Sequence, residues 1–272
     1  MGFLDDMKAN RLGQKALSTH SQASDLIRQG RLADANAKLA LAADQYRDAY
    51  EAGCRKVNIM MGYAALMMRN GEFARARELM KEISTDKSMS EDTHFELRIS
   101  YSICLWRLGL LDEAIKTARY AGKHMKNSSY YSAMCSFMVD QARQTGEFEY
   151  AQAILDEAMD YDDEDAPTLD SCGELCQIRS DYAKRAGDDE EAARLRREAI
   201  DFYERALKAR PGQITTLYAL SGYALENGDR ARAKELVEKA ILRSGSRVCP
   251  VTREMLIERR NQIDRVTAVC EK

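Results

Sequence analysis

Apolar side chains recur at helical spacing along the whole chain, and the segments that carry them come in pairs separated by glycine. Glycine ends the first segment of each pair because it readily adopts the left-handed conformation that closes a helix. The six turn glycines are Gly30, Gly71, Gly109, Gly146, Gly187 and Gly228. The pairs of helices are predicted at residues 8–53, 55–84, 91–125, 128–160, 168–209 and 213–244.

A last amphipathic segment, at about residues 250–270, follows the sixth pair. Its apolar residues are Met255, Leu256, Ile263, Val266 and Val269. A terminal repeat exposes an apolar face that must be covered, so we interpret this segment as a C-terminal capping helix. The whole pattern predicts thirteen helices and no strand.

Small residues recur at fixed distances after each turn glycine. Five positions on, all six pairs carry alanine: Ala35, Ala76, Ala114, Ala151, Ala192 and Ala233. Twelve positions on, the residues are Ala42, Ile83, Ala121, Ala158, Ala199 and Ala240. A separation of seven residues is two helical turns, so both positions lie on one stripe of the second helix. Small side chains there allow neighbouring helices to approach closely, and stacked pairs would share one continuous core.

This pattern resembles the tetratricopeptide repeat family over essentially the whole chain. The turn glycine and the two small positions match the signature of that family. The repeats here are spaced by 41, 38, 37, 41 and 41 residues, longer than the usual ~34. The early tryptophan and tyrosine positions of the family are mostly absent, and its later proline is matched only by Pro167 and Pro211. The resemblance implies an all-α fold: a single right-handed solenoid of αα-hairpins over residues 1–272, a tetratricopeptide-like superhelix closed by the capping helix.

Two polar stretches mark connections between the pairs. Ser90, or Asp92 close after it, is expected to cap the helix that begins the third pair. Residues 160–167 are strongly acidic, but they lack the glycine and the terminal glutamate of an EF-hand calcium loop. We therefore predict that this acidic segment is a solvated connection.

Composition narrows the possible functions. The formal net charge of −3 provides no general attraction to phosphate backbones, which disfavours nucleic acid as a partner. No run approaches the roughly 18 apolar residues that a membrane-spanning helix needs. The N-terminal residues lack the basic and then apolar pattern of a secretory signal, so a cytoplasmic location is expected.

The cysteines and histidines do not assemble into a recognisable reactive site. Seven cysteines are scattered among mostly apolar neighbours and are expected to be reduced and buried. Cys172 and Cys176 lie one helical turn apart, and no second pair or nearby histidine completes a zinc site. The three histidines fall in different repeats, and no catalytic motif occurs. We predict no catalytic residues, no metal and no cofactor.

Members of the resembled family bind extended or helical segments in a concave groove lined by the first helix of each pair. Counting back 13, 10, 6 and 3 residues from each turn glycine lists the side chains that would face this groove. Repeats two and three supply an apolar patch of Met61, Met68, Ile99, Ile103 and Trp106. Repeats four to six supply Asp140, Arg143, Glu174, Asp181, Lys184 and Tyr218.

The leading hypothesis is a scaffold that binds another protein, by a segment with apolar anchors followed by a basic stretch. Trp106 motivates this hypothesis, because buried aromatic residues dominate interface energetics. An alternative is that Trp106 and the methionines are ordinary core. A second alternative is a structural, self-associating protein whose groove is filled by its own C-terminal helix. An RNA-binding helical repeat is less favoured, because no basic face is evident.

Overall fold

The fold is all-helical. The computed structural model describes the backbone of residues 3–270 and the side chains of residues 5–265, so the predicted roles of Val266, Val269 and the Cys270 thiol lie outside the described residues. The helices are α1 (Phe3–Arg28), α2 (Leu32–Glu51), α3 (Val57–Asn70), α4 (Phe73–Ile83), α5 (Glu91–Arg107), α6 (Leu111–Gly122), α7 (Ser128–Thr145), α8 (Glu149–Tyr161), α9 (Ala166–Arg185), α10 (Asp189–Ala209), α11 (Ile214–Glu226), α12 (Arg230–Arg243) and α13 (Arg253–Cys270). The prediction of thirteen helices and no strand is confirmed for the described residues.

The helices form two compact units. Unit 1 comprises the residues up to Thr117 together with Ser246–Val248, and unit 2 comprises Ala118–Gly245 and the residues from Cys249 onward. The core of unit 1 contains Tyr46, whose ring stacks on that of Tyr63 with centroids 5.8 Å apart. Unit 2 has its own core, which includes Leu217, Val237 and Leu256. A single solenoid over residues 1–272 stays a prediction.

The turn glycines and the small residues behave as the sequence predicts. All six turn glycines have φ between 74° and 85°, the left-handed region. Of the residues five positions later, five are fully buried and Ala192 is 7% exposed. The residues at the second position are also buried, Ile83 among them. The second helix of each pair therefore packs through a face of mostly small side chains, as close helix packing requires.

Helix starts follow local hydrogen bonding. The Ser90 side chain accepts a hydrogen bond from the Thr93 N–H, so the predicted cap of α5 is confirmed. The acidic segment is helical at both ends, and its break is confined to residues 162–165. Asp165 closes the break, because its carboxylate accepts bonds from the Thr168 N–H at 3.0 Å and the Thr168 hydroxyl at 2.8 Å. This acidic residue has a structural role as the cap of α9.

The first and last helices differ slightly from their predicted bounds. α1 begins five residues earlier than predicted. Asp5 and Asp6 lie in its first turn, where negative charge interacts favourably with the positive end of the helix dipole and stabilises the helix. α13 begins later, after Thr252, whose hydroxyl accepts from the Met255 N–H at 3.3 Å. Among the described residues, no helix is long and apolar enough to cross a membrane.

Gly228 offers a test of the turn. Its φ is +80°, and nothing lies within 4 Å of the position that a Cβ would take. Gly228→Ala is therefore expected to lower the free energy of unfolding by about 1 kcal/mol through backbone strain alone. Gly228→Asn should cost less, because asparagine tolerates the left-handed conformation. Urea unfolding followed by circular dichroism measures both, and equal losses would contradict the backbone explanation.

Candidate functional site

A cavity of about 410 Å³ opens on one side of unit 2. We call this side the first-helix face, because α7, α9 and α11, the first helices of their pairs, contribute to it. The cavity is lined by residues of α7, α9, α10 and α11, and by the segment from Pro250 to Arg259. Three of the lining residues on α9, namely Glu174, Gln177 and Asp181, lie 13, 10 and 6 residues before Gly187. On α11, Thr215, Tyr218 and Gly222 lie at the same three distances before Gly228. Equivalent positions of successive first helices thus line one cavity.

Arg143 links two first helices at one side of the cavity. Its guanidinium bonds to Asp140 on its own helix at 2.7 Å and forms an ion pair with Glu174 on α9. Four of the six groove residues predicted in unit 2 therefore line the cavity: Arg143, Glu174, Asp181 and Tyr218. Asp140 is placed instead as the partner of Arg143, and Lys184 is exposed outside the lining.

Asp170 is a buried carboxylate in the cavity lining that the sequence analysis missed. It is 9% exposed, and the Thr216 hydroxyl donates a hydrogen bond to its Oδ1 at 2.5 Å. Burial raises the pKa of Asp170 to about 6, against the Thr216 hydrogen bond, which lowers it. Asp170 lies one helical turn before Glu174, on the same face of α9. The sequence analysis counted back only 13 residues from each turn glycine, whereas the groove-facing side of this 20-residue helix extends one turn further. The aspartate one turn before Glu174 was the sequence signal that could have identified Asp170.

Tyrosines form the apolar walls of the cavity. Tyr203 is almost fully buried, with its hydroxyl 3.3 Å from Gln177 Oε1, and burial raises its pKa well above the ordinary value. The Tyr223 ring lies 6.3 Å from that of Tyr203, and burial raises the Tyr223 pKa to about 12. Both phenols are therefore neutral at physiological pH, and the walls contribute aromatic surface and hydroxyl groups.

The C-terminal helix contributes one side of the cavity. α13 packs chiefly on α12 and also contacts α11, and Lys234 pairs with Asp264 at 3.0 Å. The role of α13 as a capping helix stays a prediction, since Met255 and Arg259 of this helix also line the cavity. The Arg259 guanidinium lies 4.4 Å from the centroid of the Tyr218 ring. A Cβ on Gly222 would stand 2.6 Å from Arg259 Nη1, so the absence of a side chain at Gly222 makes room for this arginine.

The apolar patch predicted in unit 1 is partly core. Met68 is 6% and Ile99 is 3% exposed, so these two side chains contribute mainly to packing. Met61 and Ile103 are half-buried and pack against the core of unit 1. Trp106 is also half-buried. The sequence spacing selects one side of each helix, and here neighbouring helices already cover much of that side. A binding role for this patch stays a prediction.

Five of the six cysteines whose side chains are described are buried; Cys249 is half-buried, so the expectation of burial is wrong for that residue. Cys172 and Cys176 are buried, and burial raises their pKa values to about 12 and about 11. Both are therefore neutral thiols at physiological pH and poor nucleophiles. In the part of the chain that the structure describes, no group of three or more histidine, cysteine, aspartate or glutamate side chains is arranged to hold a metal ion.

Comparison with known proteins identifies the fold. No family model and no curated protein sequence matches the chain. A solved structure of a monomeric mutant of IFIT1 with Gppp-AAAA is 15% identical with a TM-score of 0.61, and the match covers 92% of this chain and 63% of that one. PilW, described as a widely conserved type IV pilus biogenesis factor, is 14% identical with a TM-score of 0.52, covering 83% of this chain and 92% of that one. The chain thus spans less than two thirds of the IFIT1 chain that it matches. The chain has a tetratricopeptide-like helical repeat fold, and at 14–15% identity the likeness shows the fold alone.

Proposed function

We propose that the chain is a protein-interaction scaffold that binds a segment of a partner protein on the first-helix face of unit 2. The observation that carries this proposal is the cavity of about 410 Å³ that successive first helices line at equivalent positions. It falls within the usual size of ligand sites, about 300–1,000 Å³, and combines apolar walls with a few polar groups. Met61, Ile103 and Trp106 in unit 1 are half-buried and offer a second, apolar contact surface.

The charge of the cavity favours a protein over a nucleic acid. Carboxylates in the lining outnumber guanidinium groups: Asp170, Glu174, Asp181 and Glu226 against Arg143 and Arg259. A phosphate backbone requires the opposite balance. The excess of carboxylates therefore argues against binding of an RNA such as the Gppp-AAAA of the IFIT1 structure in this cavity. We assign the chain no catalytic step, and the Cys172 and Cys176 thiols of α9 are buried and neutral.

Two charge reversals in unit 2 test the proposal. Asp181 lies on α9 in the cavity lining, whereas Asp201 is exposed on the second helix α10 and forms no ion pair among the described residues. Affinity capture from lysate of the native host should retain a partner with the wild type and with Asp201→Lys. With Asp181→Lys the amount of captured partner should fall at least tenfold, because a lysine in the cavity lining repels or blocks the partner segment.

Circular dichroism and gel filtration check that both variants keep the fold and the oligomeric state of the wild type. A partner that both folded variants retain equally would contradict binding at the first-helix face. Loss of the partner from Asp201→Lys alone would assign binding to the second helices instead.

A further inference from the structure

The charges that line the cavity of unit 2 are not all balanced within the chain. Arg143 is shared by Asp140 and Glu174, and Glu226 pairs with Arg196 at 2.5 Å. Asp170 and Asp181 have no ion-pair partner among the described residues. The cavity therefore presents uncompensated negative charge beside aromatic walls.

The chain itself already places a guanidinium in this cavity. Arg259 rests on the Tyr218 ring above Gly222, and no described residue forms an ion pair or a hydrogen bond with its guanidinium. A cation–aromatic contact at a partly exposed site is weak. A competing guanidinium could thus displace Arg259 while breaking only this one contact.

Asp181 lines the same cavity as Tyr218 and Arg259. Asp181 on α9 and Gly222 on α11 both lie six residues before the turn glycine of their pair, and both line the cavity. Asp181 is carried by α9, and Arg259 rests on a side chain of α11; the two helices are joined by the hydrogen bond from Thr216 to Asp170. An ion pair with Asp181 would add to the contact with Tyr218, and Arg259 itself does not make that ion pair.

We propose that the cavity binds an arginine side chain of the partner segment, which replaces Arg259 on Tyr218 and pairs with Asp181. This assignment rests on the proposed function and names the residue that the segment must carry. Arginine is favoured over lysine because its planar guanidinium stacks on an aromatic face and binds a carboxylate through two hydrogen bonds.

Peptide arrays test the assignment with the full chain. Each ten-residue peptide carries one central arginine among varied apolar residues, and its matched copy carries citrulline, which keeps the shape without the charge. The wild type should bind the best arginine peptides at least tenfold more tightly than their citrulline copies. A lysine series should lie between them.

Three variants connect the preference to the named residues. Asp181→Asn should remove most of the tenfold preference, whereas Asp201→Asn on α10 should leave it unchanged. Arg259→Ala should strengthen arginine binding severalfold, because it removes the competing guanidinium from Tyr218.

The outcomes separate this inference from the proposed function. Equal binding of arginine and citrulline peptides would overturn the arginine site and leave segment binding in place. Weaker arginine binding by folded Arg259→Ala would also overturn it, since Arg259 would then assist the ligand. If no peptide of any series binds, both the arginine site and segment binding at this face are contradicted.

Discussion

Replacing Ala233 with leucine is expected to lower the free energy of unfolding by about 3 kcal/mol. Ala233 is fully buried on α12, five residues after the turn glycine, in the core of unit 2. α12 packs on α11 and α13, so three added carbon atoms must displace one of these helices or force strained rotamers.

The same helix provides the matched control. Ala231 is exposed two residues earlier, so Ala231→Leu should change stability by at most about 0.5 kcal/mol. The intrinsic helix preference of the change is similar at both sites, which leaves packing as the difference. Urea unfolding followed by circular dichroism measures the two values, and hydrogen exchange in α12 identifies which unit opens.

A matched pair of substitutions in unit 1 tests the same packing independently. Ala76 is fully buried and Ala74 is exposed on α4, in the same arrangement. Ala76→Leu should therefore destabilise the protein by much more than Ala74→Leu. If the buried and exposed leucines cost the same in both units, the close packing that explains the alanine repeat is wrong.

Asp170→Asn is expected to stabilise the protein by about 3 kcal/mol at neutral pH. Burial raises the pKa of this carboxylate from 3.8 to about 6, and each unit of pKa corresponds to about 1.4 kcal/mol. The native state therefore binds the Asp170 proton more tightly than the unfolded state does. Asparagine is neutral at every pH and still offers an oxygen to the Thr216 hydroxyl.

The effect has a defined dependence on pH. Because the pKa is raised in the native state, the contribution of Asp170 to stability is fully present below about pH 4 and is lost as the pH rises through about 6. The stability difference between Asp170→Asn and the wild type should be small near pH 4, grow up to about pH 6 and stay constant above it. Taking the difference cancels the titration of the other carboxylates.

Urea unfolding at a series of pH values measures this difference. Asp181→Asn is the control, because Asp181 is exposed on the same helix and forms no ion pair among the described residues. Replacing this exposed side chain should change the free energy of unfolding by at most about 0.5 kcal/mol. A stability difference for Asp170→Asn that does not change between pH 4 and 7 would show that the carboxylate is not buried as a destabilising charge.

Part of the candidate site could be predicted from the sequence. The distances from the turn glycines selected Glu174, Asp181 and Tyr218, which line the cavity of unit 2. The same rule selected Met68 and Ile99 in unit 1, which are buried in packing. A helical period tells which side chains share a face, but not whether another helix covers that face.

Asp170 and Arg259 line the cavity but were not selected by the sequence pattern, for different reasons. Asp170 was missed because α9 is longer than the counting rule assumes. Arg259 was missed because its contact with Tyr218 joins residues 41 positions apart, and no local periodicity reports such a contact.

Within the described residues, the sequence by itself determined the thirteen helices, the left-handed glycine turns and the buried stripe of mostly alanine residues. These features depend on backbone conformation and on side chains within one or two helical turns, which a sequence pattern records directly. Only the tertiary structure decided that Asp170 is buried, that Asp181 forms no ion pair with any described residue and that Arg259 rests on Tyr218. Burial, charge balance and pKa depend on atoms that distant segments bring together, so they emerge only when the helices are packed.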